Sequence, residues 1–365
     1  MSVLCAITLP SIGECKDNIK IASIFAKTGA ASDGGKAAIK GIRFAVLELN
    51  QQGGLLGKQI EIIELDNHSK ALHSKKAAQQ AVKIGVVAVF GATWSSLSLA
   101  MAPILQAAYI PMISPYSTNP AVTKVGNFIF RACFIDPFQG RIMANFATQD
   151  LKAKTAGIMI NVSSRYSEGL AAFFRKYFIM QGGTVLQEVN YIPDAQDFKP
   201  DLLKIIQHQP DVLFIPGYAL DSSRIIVQAK ELGLSATLLG GDGWGTPMYI
   251  HAGSALNGSY YSGHWHEDVE NPKSKHFLKN YQKVFGEIDN EGAALSYDAF
   301  LIFAKAVRRA RTLEPFKLRE ALAATKNFNG VTGRISFNQN GDPIKPAVIS
   351  KFGEKSAVYV KTVEP

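Results

Sequence analysis

The sequence predicts an α/β protein of two similar lobes, each a parallel sheet with helices on both faces. Three observations carry this. Strand-like apolar runs alternate with helical runs, the alternation passes through two successive series, and 365 residues exceed the usual single-domain range. With 47% hydrophobic and 19% charged residues the chain can bury substantial cores, and no long segment has a disordered composition.

In the first series, the run 19–25 reads as a strand ending in the small-residue loop 26–35, before a helical pattern over 36–49. Gly53-Gly-Leu-Leu-Gly57 turns the chain into a strand at 59–65, and 69–83 is an amphipathic helix. The runs 86–90 and 111–113 are short strands, 128–131 is another, and Asp136-Pro-Phe-Gln-Gly140 reads as a crossover. A helix begun at Ser96 would carry Pro103 in its interior, so it either bends there or restarts near Ala102.

In the second series, strands at 156–161, 184–191, 211–216 and 237–239 alternate with helices at 167–180, 198–208 and 222–231. The stretch 258–265 reads as a return connection, followed by helices at 272–285, 293–313 and 316–325. Short strands at 333–337, 348–352 and 357–362 finish the chain, the last two joined as a hairpin by Gly353-Glu-Lys.

The N-terminal run Ser2–Pro10, with small residues at Ser11 and Gly13, reads as residues 1–15 of a trimmed secretory signal. Cleavage would remove Cys5 and perhaps Cys15, leaving Cys133 as a lone thiol, and three cysteines give no disulfide framework. Lys and Arg exceed Asp and Glu by nine but are spread along the chain, which argues against nucleic acid and for a diffuse positive field favouring anionic or zwitterionic ligands. Phosphate-loop, dinucleotide and nucleophile-elbow signatures are missing, so no enzyme and no cofactor is expected. His264-Trp-His266 presents two imidazoles at strand spacing, which fits either a metal pair or surface and interlobe histidines; without a third ligand the second reading is preferred.

Candidate ligand contacts lie in polar loops where strands end, the usual binding side of an open α/β sheet. Ser95 and Ser96 read either as helix caps or as caps that also hold a ligand carboxylate. Asp242, in Gly240-Gly-Asp-Gly-Trp-Gly245, either shapes a turn or pairs with a ligand ammonium.

From about residue 19 onward the chain resembles the leucine/isoleucine/valine-binding proteins of ABC transporters. The resemblance rests on Leu49-Asn-Gln-Gln-Gly-Gly-Leu-Leu-Gly-Lys58, 86–91 with Ser95-Ser96, Pro111-Met-Ile-Ser-Pro-Tyr-Ser-Thr-Asn-Pro120, Arg165-Tyr-Ser-Glu-Gly169, Pro216-Gly-Tyr218 and Gly240-Gly-Asp-Gly243. It implies the type I periplasmic binding protein fold: two Rossmann-like lobes joined by crossover strands, 16–136 with 266–341 and 137–265 with 342–365, and a ligand cleft between them. It implies an amino acid, branched-chain or related, as ligand, a membrane ABC permease as partner, and a periplasmic monomer without cofactor.

By resemblance, Ser95 and Thr118 hold the ligand carboxylate, the Tyr116 carbonyl and Thr118 meet its ammonium, and Asp242 supplies the counter-charge. Tyr166 and Tyr218 close over the ligand; Ser96, Ser117 and Asp136, at the start of a crossover, complete the set. His68 and Trp94 stand where many members have a bridging cysteine pair, and Trp94 either packs under its loop or enters the pocket. Asp242 replaces a longer Glu and Tyr116 a smaller Ala, so γ-aminobutyrate, an amide, urea or an aromatic acid are alternative ligands, and a sensory role is the alternative function.

Overall fold

The structure, a computed structural model, describes residues 18–288 and 290–365. The expected signal remnant, Cys5 and Cys15 lie outside the described residues.

The first sheet contains β1 (Ile19–Phe25), β2 (Ile60–Asp66), β3 (Val89–Gly91), β4 (Met112–Ser114) and β5 (Ile129–Arg131), all parallel, in the order β2-β1-β3-β4-β5. Helices α1 (Ser32–Gln51), α2 (Ala71–Ile84) and α3 (Ser95–Ala107) are its crossovers. Burial on both faces explains the unbroken apolar runs: Ile21, Ile24 and Phe25 are fully inaccessible.

Helix α1 begins four residues before the expected start, because Ser32-Asp33-Gly34-Gly35 forms its first turn. Gly35 is needed there, since a Cβ would lie 2.0 Å from the Ala26 carbonyl oxygen. α2 ends at Gly85 in the left-handed conformation (φ +76°). α3 is one continuous helix through Pro103, so the restart near Ala102 does not occur.

The second sheet contains β6 (Thr155–Asn161), β7 (Thr184–Tyr191), β8 (Val212–Phe214), β9 (Thr237–Gly240) and β10 (Tyr260–Gly263), all parallel. Around it lie α4 (Asp136–Asn145), α5 (Arg165–Met180), α6 (Lys199–Ile206), α7 (Ala219–Glu231) and α8 (Met248–Ala252). The expected crossover at 136–140 is the start of α4. Pro137 suits a first helical turn, and consecutive buried residues such as Ile142, Met143 and Ala144 erase the amphipathic signal. Gly140 lets α4 meet α5 closely: a Cβ there would lie 2.6 Å from that of Phe173.

Helices α9 (Pro272–Phe285), α10 (Gly292–Ala310) and α11 (Pro315–Ala323) return to the first sheet, where Phe277, Tyr281, Phe300 and Phe303 share a core with Phe44 and Phe90. Strands β11 (Phe328–Gly330), β12 (Gly333–Phe337) and β13 (Pro343–Ile344) form a small antiparallel sheet. The expected hairpin, β14 (Ala347–Phe352) with β15 (Ala357–Val363), adds antiparallel to the second sheet, giving the order β15-β14-β10-β9-β8-β6-β7. The chain thus passes between the sheets three times: before α4, after β10 and before β14. Among the described residues, no helix is long and apolar enough to cross a membrane.

Candidate functional site

Loops at the C-terminal ends of both sheets enclose a cavity of about 450 Å³. Its walls include the starts of α1, α3, α5, α7 and α10, through Asp33, Ser95, Tyr166, Ala219 and Glu291. Helix starts carry unpaired N–H groups and the positive end of the dipole, so this is a polar site by construction.

On the first lobe, the loop after β4 is held by hydroxyls. Ser114 Oγ donates to the Ala92 carbonyl (2.9 Å), and Ser117 Oγ donates to the Thr93 carbonyl (3.1 Å) and pairs with Ser98 Oγ (2.8 Å). Beneath them, fully buried Arg131 donates to the carbonyls of Ser117 and Asn119 (2.9 Å for the latter) and pairs through Nε with Asp342 Oδ1 at 2.8 Å. This fixes Tyr116 and Thr118 at the cavity wall.

On the second lobe, Asp242 follows β9 and is 4% exposed. Its Oδ1 accepts from Gln139 Nε2 at 2.8 Å, and its Oδ2 lies 3.0 Å from His264 Nε2. A carboxylate only accepts, so His264 donates to it through Nε2. Glu291, at the head of α10, accepts from the Tyr116 hydroxyl (2.7 Å) and from the backbone N–H groups of His264 (2.7 Å) and Trp265 (2.9 Å). Burial raises its pKa, opposed by His264 and the Tyr116 hydrogen bond. Tyr116 is raised well above the usual phenol range by burial and by Glu291 and Asp242.

Aromatic rings bridge the lobes. Trp94 stacks on Tyr218 at 4.0 Å between centroids, and Tyr218 stacks on Tyr166 at 5.3 Å. The Tyr166 hydroxyl accepts from Gly243 N at 3.0 Å, and Asn119 Nδ2 donates to the Arg165 carbonyl at 2.6 Å.

Of the ten residues singled out from the sequence, Trp94, Ser95, Tyr116, Thr118, Tyr166, Tyr218 and Asp242 line the cavity. Trp94 packs against the first-lobe core and also lines the cavity. Three do not line it. Ser96 is the next residue along α3, where the side chain has turned by about 100°. Ser117 is spent on the loop's internal bonds. Asp136 is buried behind Thr118, whose carbonyl accepts from its N–H at 3.0 Å, and burial pushes its carboxyl up to about 8 against the Thr118 hydroxyl.

Nor do the serines cap α3: its N-cap is Trp94 with no side-chain cap bond, and Ser95 Oγ instead accepts from Asn119 N at 3.2 Å. His264 faces Asp242 and His266 the Ala357 carbonyl, and among the described residues no three metal-ligating side chains cluster. Cys133 is buried, which pushes its thiol up to about 12. The sequence reading missed Glu291 and Gln139, which no local pattern marks, because their partners are 175 and 103 residues away.

A model of the periplasmic binding protein family matches residues 18–356. The chain belongs to that family. Within it, the leucine-binding protein LivK from Thermotoga maritima is 35% identical, with TM-score 0.91, covering 95% of this chain and 99% of that one. The branched-chain amino acid transporter substrate-binding protein LivJ from Streptococcus pneumoniae, solved with isoleucine, is 30% identical with TM-score 0.90, covering 96% and 100%. The leucine-, isoleucine-, valine-, threonine- and alanine-binding protein of Pseudomonas aeruginosa is 27% identical over 328 residues, 89% of this chain and 87% of the relative. A benzoate-bound solute-binding protein from R. palustris, 19% identical with TM-score 0.86, covering 96% and 97%, shares the fold.

Proposed function

We propose that this protein is the extracytoplasmic solute-binding component of an ABC transporter, holding an α-amino acid in the interlobe cleft and delivering it to a membrane permease. One observation carries the reading: the cavity sets the Ser95–Thr118 corner at the start of α3 on one lobe against Asp242 on the other. The first suits a carboxylate and the second an ammonium. The related LivK and LivJ proteins are described as leucine-binding and isoleucine-bound. Their ligands share the α-amino-acid backbone, the part these groups match.

On this reading Ser95 and Thr118 hold the carboxylate, and Tyr116, Thr118 and Asp242 the ammonium, with Trp94, Tyr166 and Tyr218 closing over the ligand. The first sheet, with α9–α11 and β11–β13, moves as one lobe, and the second sheet, with the β14–β15 hairpin, as the other. A ligand touching both lobes favours closure by its differential affinity for the closed state. The protein acts as a periplasmic monomer, exported by its N-terminal run, and makes or breaks no bond.

An aromatic acid is the second reading, favoured by the ring-lined wall of Trp94, Tyr166 and Tyr218; it leaves Asp242 facing no cation. A thermal-shift panel of amino acids, ω-amino acids, amides and aromatic acids separates the two. A ligand at a hundred times its Kd adds about 2.7 kcal/mol. Stabilisation by an α-amino acid supports the first reading; stabilisation only by aromatic acids overturns it.

A further inference from the structure

The charge of the cavity opposes the charge of the chain. The whole chain carries nine excess positive charges, yet the cavity is lined by Asp33, Asp242, Glu267, Glu287 and Glu291 against a single lysine, Lys355. Helix dipoles account for part of this: Asp33 lies in the first turn of α1 and Glu291 at the N-cap of α10. They do not account for Glu287, two residues beyond the C-terminal end of α9, where the dipole disfavours a carboxylate, nor for Glu267 or Asp242, which lie at no helix start.

The two inner carboxylates, Asp242 and Glu291, belong to one cluster, with Tyr116 donating to Glu291 and stacking edge-on against His264, which faces Asp242. Their partners are neutral donors and one imidazole; among the described residues neither has a lysine or arginine partner. An α-ammonium answers one carboxylate only. At the opposite, hydroxyl-bearing corner, Thr93 Oγ1 is buried without a hydrogen-bond partner, in a residue that is 6% exposed and lines the same cavity. A buried hydroxyl of this kind points to a polar ligand group.

We propose that the amino acid held in this cleft carries a second cationic nitrogen on its side chain, which Glu291 receives while Glu267 and Glu287 draw it in at the mouth. This rests on the amino-acid reading above. The aliphatic stem of such a side chain packs along Trp265 and Tyr116, as lysine and arginine stems pack along apolar surface. Glu291 is then the residue that separates this chain's ligand from leucine.

The test is calorimetric titration of the ligand-stripped full chain with L-lysine, L-arginine, L-leucine and cadaverine, the decarboxylated lysine. A basic amino acid is expected to bind at least tenfold more tightly than leucine, and Glu291→Gln, which keeps an acceptor for the backbone N–H groups, to lose about tenfold for the basic ligand alone. The exposed pair Glu267→Gln/Glu287→Gln, which cannot disturb the core, is expected to weaken lysine binding and flatten its salt dependence. Tighter binding of leucine, unchanged in all variants, overturns this proposal but leaves the amino-acid reading standing. Cadaverine binding as well as lysine, or no amino acid binding at all, overturns both.

Discussion

The indole of Trp94 lies flat on the ring of Tyr218, 12° from parallel, joining the loop before α3 on one lobe to the start of α7 on the other. If the lobes close by the hinge motion proposed above, the stack forms only when the cleft is shut. Trp94→Ala removes it and widens the cavity. An aromatic pair contributes about 0.5–1.5 kcal/mol beyond area burial, so affinity should fall about twofold to tenfold, and bulkier ligands should be admitted. Titration of the variant checks both; an unchanged affinity and ligand range would place the stack outside the closure equilibrium.

All three tryptophans of the chain, Trp94, Trp244 and Trp265, line the cavity. Tryptophan emission, excited selectively, therefore reports on residues of the cleft wall. Ligand addition should change the emission, and Trp94→Phe should remove most of the change that accompanies closure; an emission spectrum indifferent to a bound ligand would contradict the placement.

Beyond the ammonium contact proposed for it, Asp242 serves the fold, because Gln139 and His264 both bond to it. Asp242→Ala should cost about 1–3 kcal/mol of unliganded stability by leaving buried polar groups unpaired. Asp242→Asn keeps acceptor capacity and removes the charge, so it should lose at least about tenfold in affinity for the amino acid with a smaller stability cost. Equal binding by wild type and Asp242→Asn would remove Asp242 from ammonium recognition.

Arg131 and Asp342 form a buried ion pair that carries the loop after β4. Breaking a buried pair by removing one partner costs about 3–5 kcal/mol, so Arg131→Met should unfold at distinctly lower urea and bind more weakly. A loss under about 1 kcal/mol would mean that the loop is held by its serines alone.

Burial raises the Asp136 carboxyl to about 8, from an ordinary value near 4. Between those limits the folded protein keeps a proton that the unfolded chain releases, so this group's contribution to stability declines as pH rises from about 4 to about 8. Asp136→Asn should flatten that decline, and parallel stability profiles for the two proteins would contradict the buried, neutral carboxyl.

Much of the frame was legible because parallel strands, buried on both faces, leave unbroken apolar runs, as at Ile19–Phe25. α4 escaped because a helix buried on nearly all sides has no polar stripe to set its period. Within the site, Trp94, Ser95, Tyr116 and Thr118 were legible as polar breaks after strands, and Asp242 as a carboxylate among glycines. Glu291 was not, since it owes its place to the crossover from β10 that delivers two backbone N–H groups to it. The net charge fitted a zwitterionic ligand but did not foretell the acidic lining, because a sum over the whole chain says nothing about the sign within a cleft.

The most direct measurement of the central claim is titration of the ligand-stripped protein with whichever L-amino acid stabilises it, beside its desamino and decarboxylated analogues. The account predicts binding at about micromolar Kd or tighter, and a loss of at least about a hundredfold on removing either backbone group. An analogue lacking the α-ammonium that binds as tightly as the parent would contradict it.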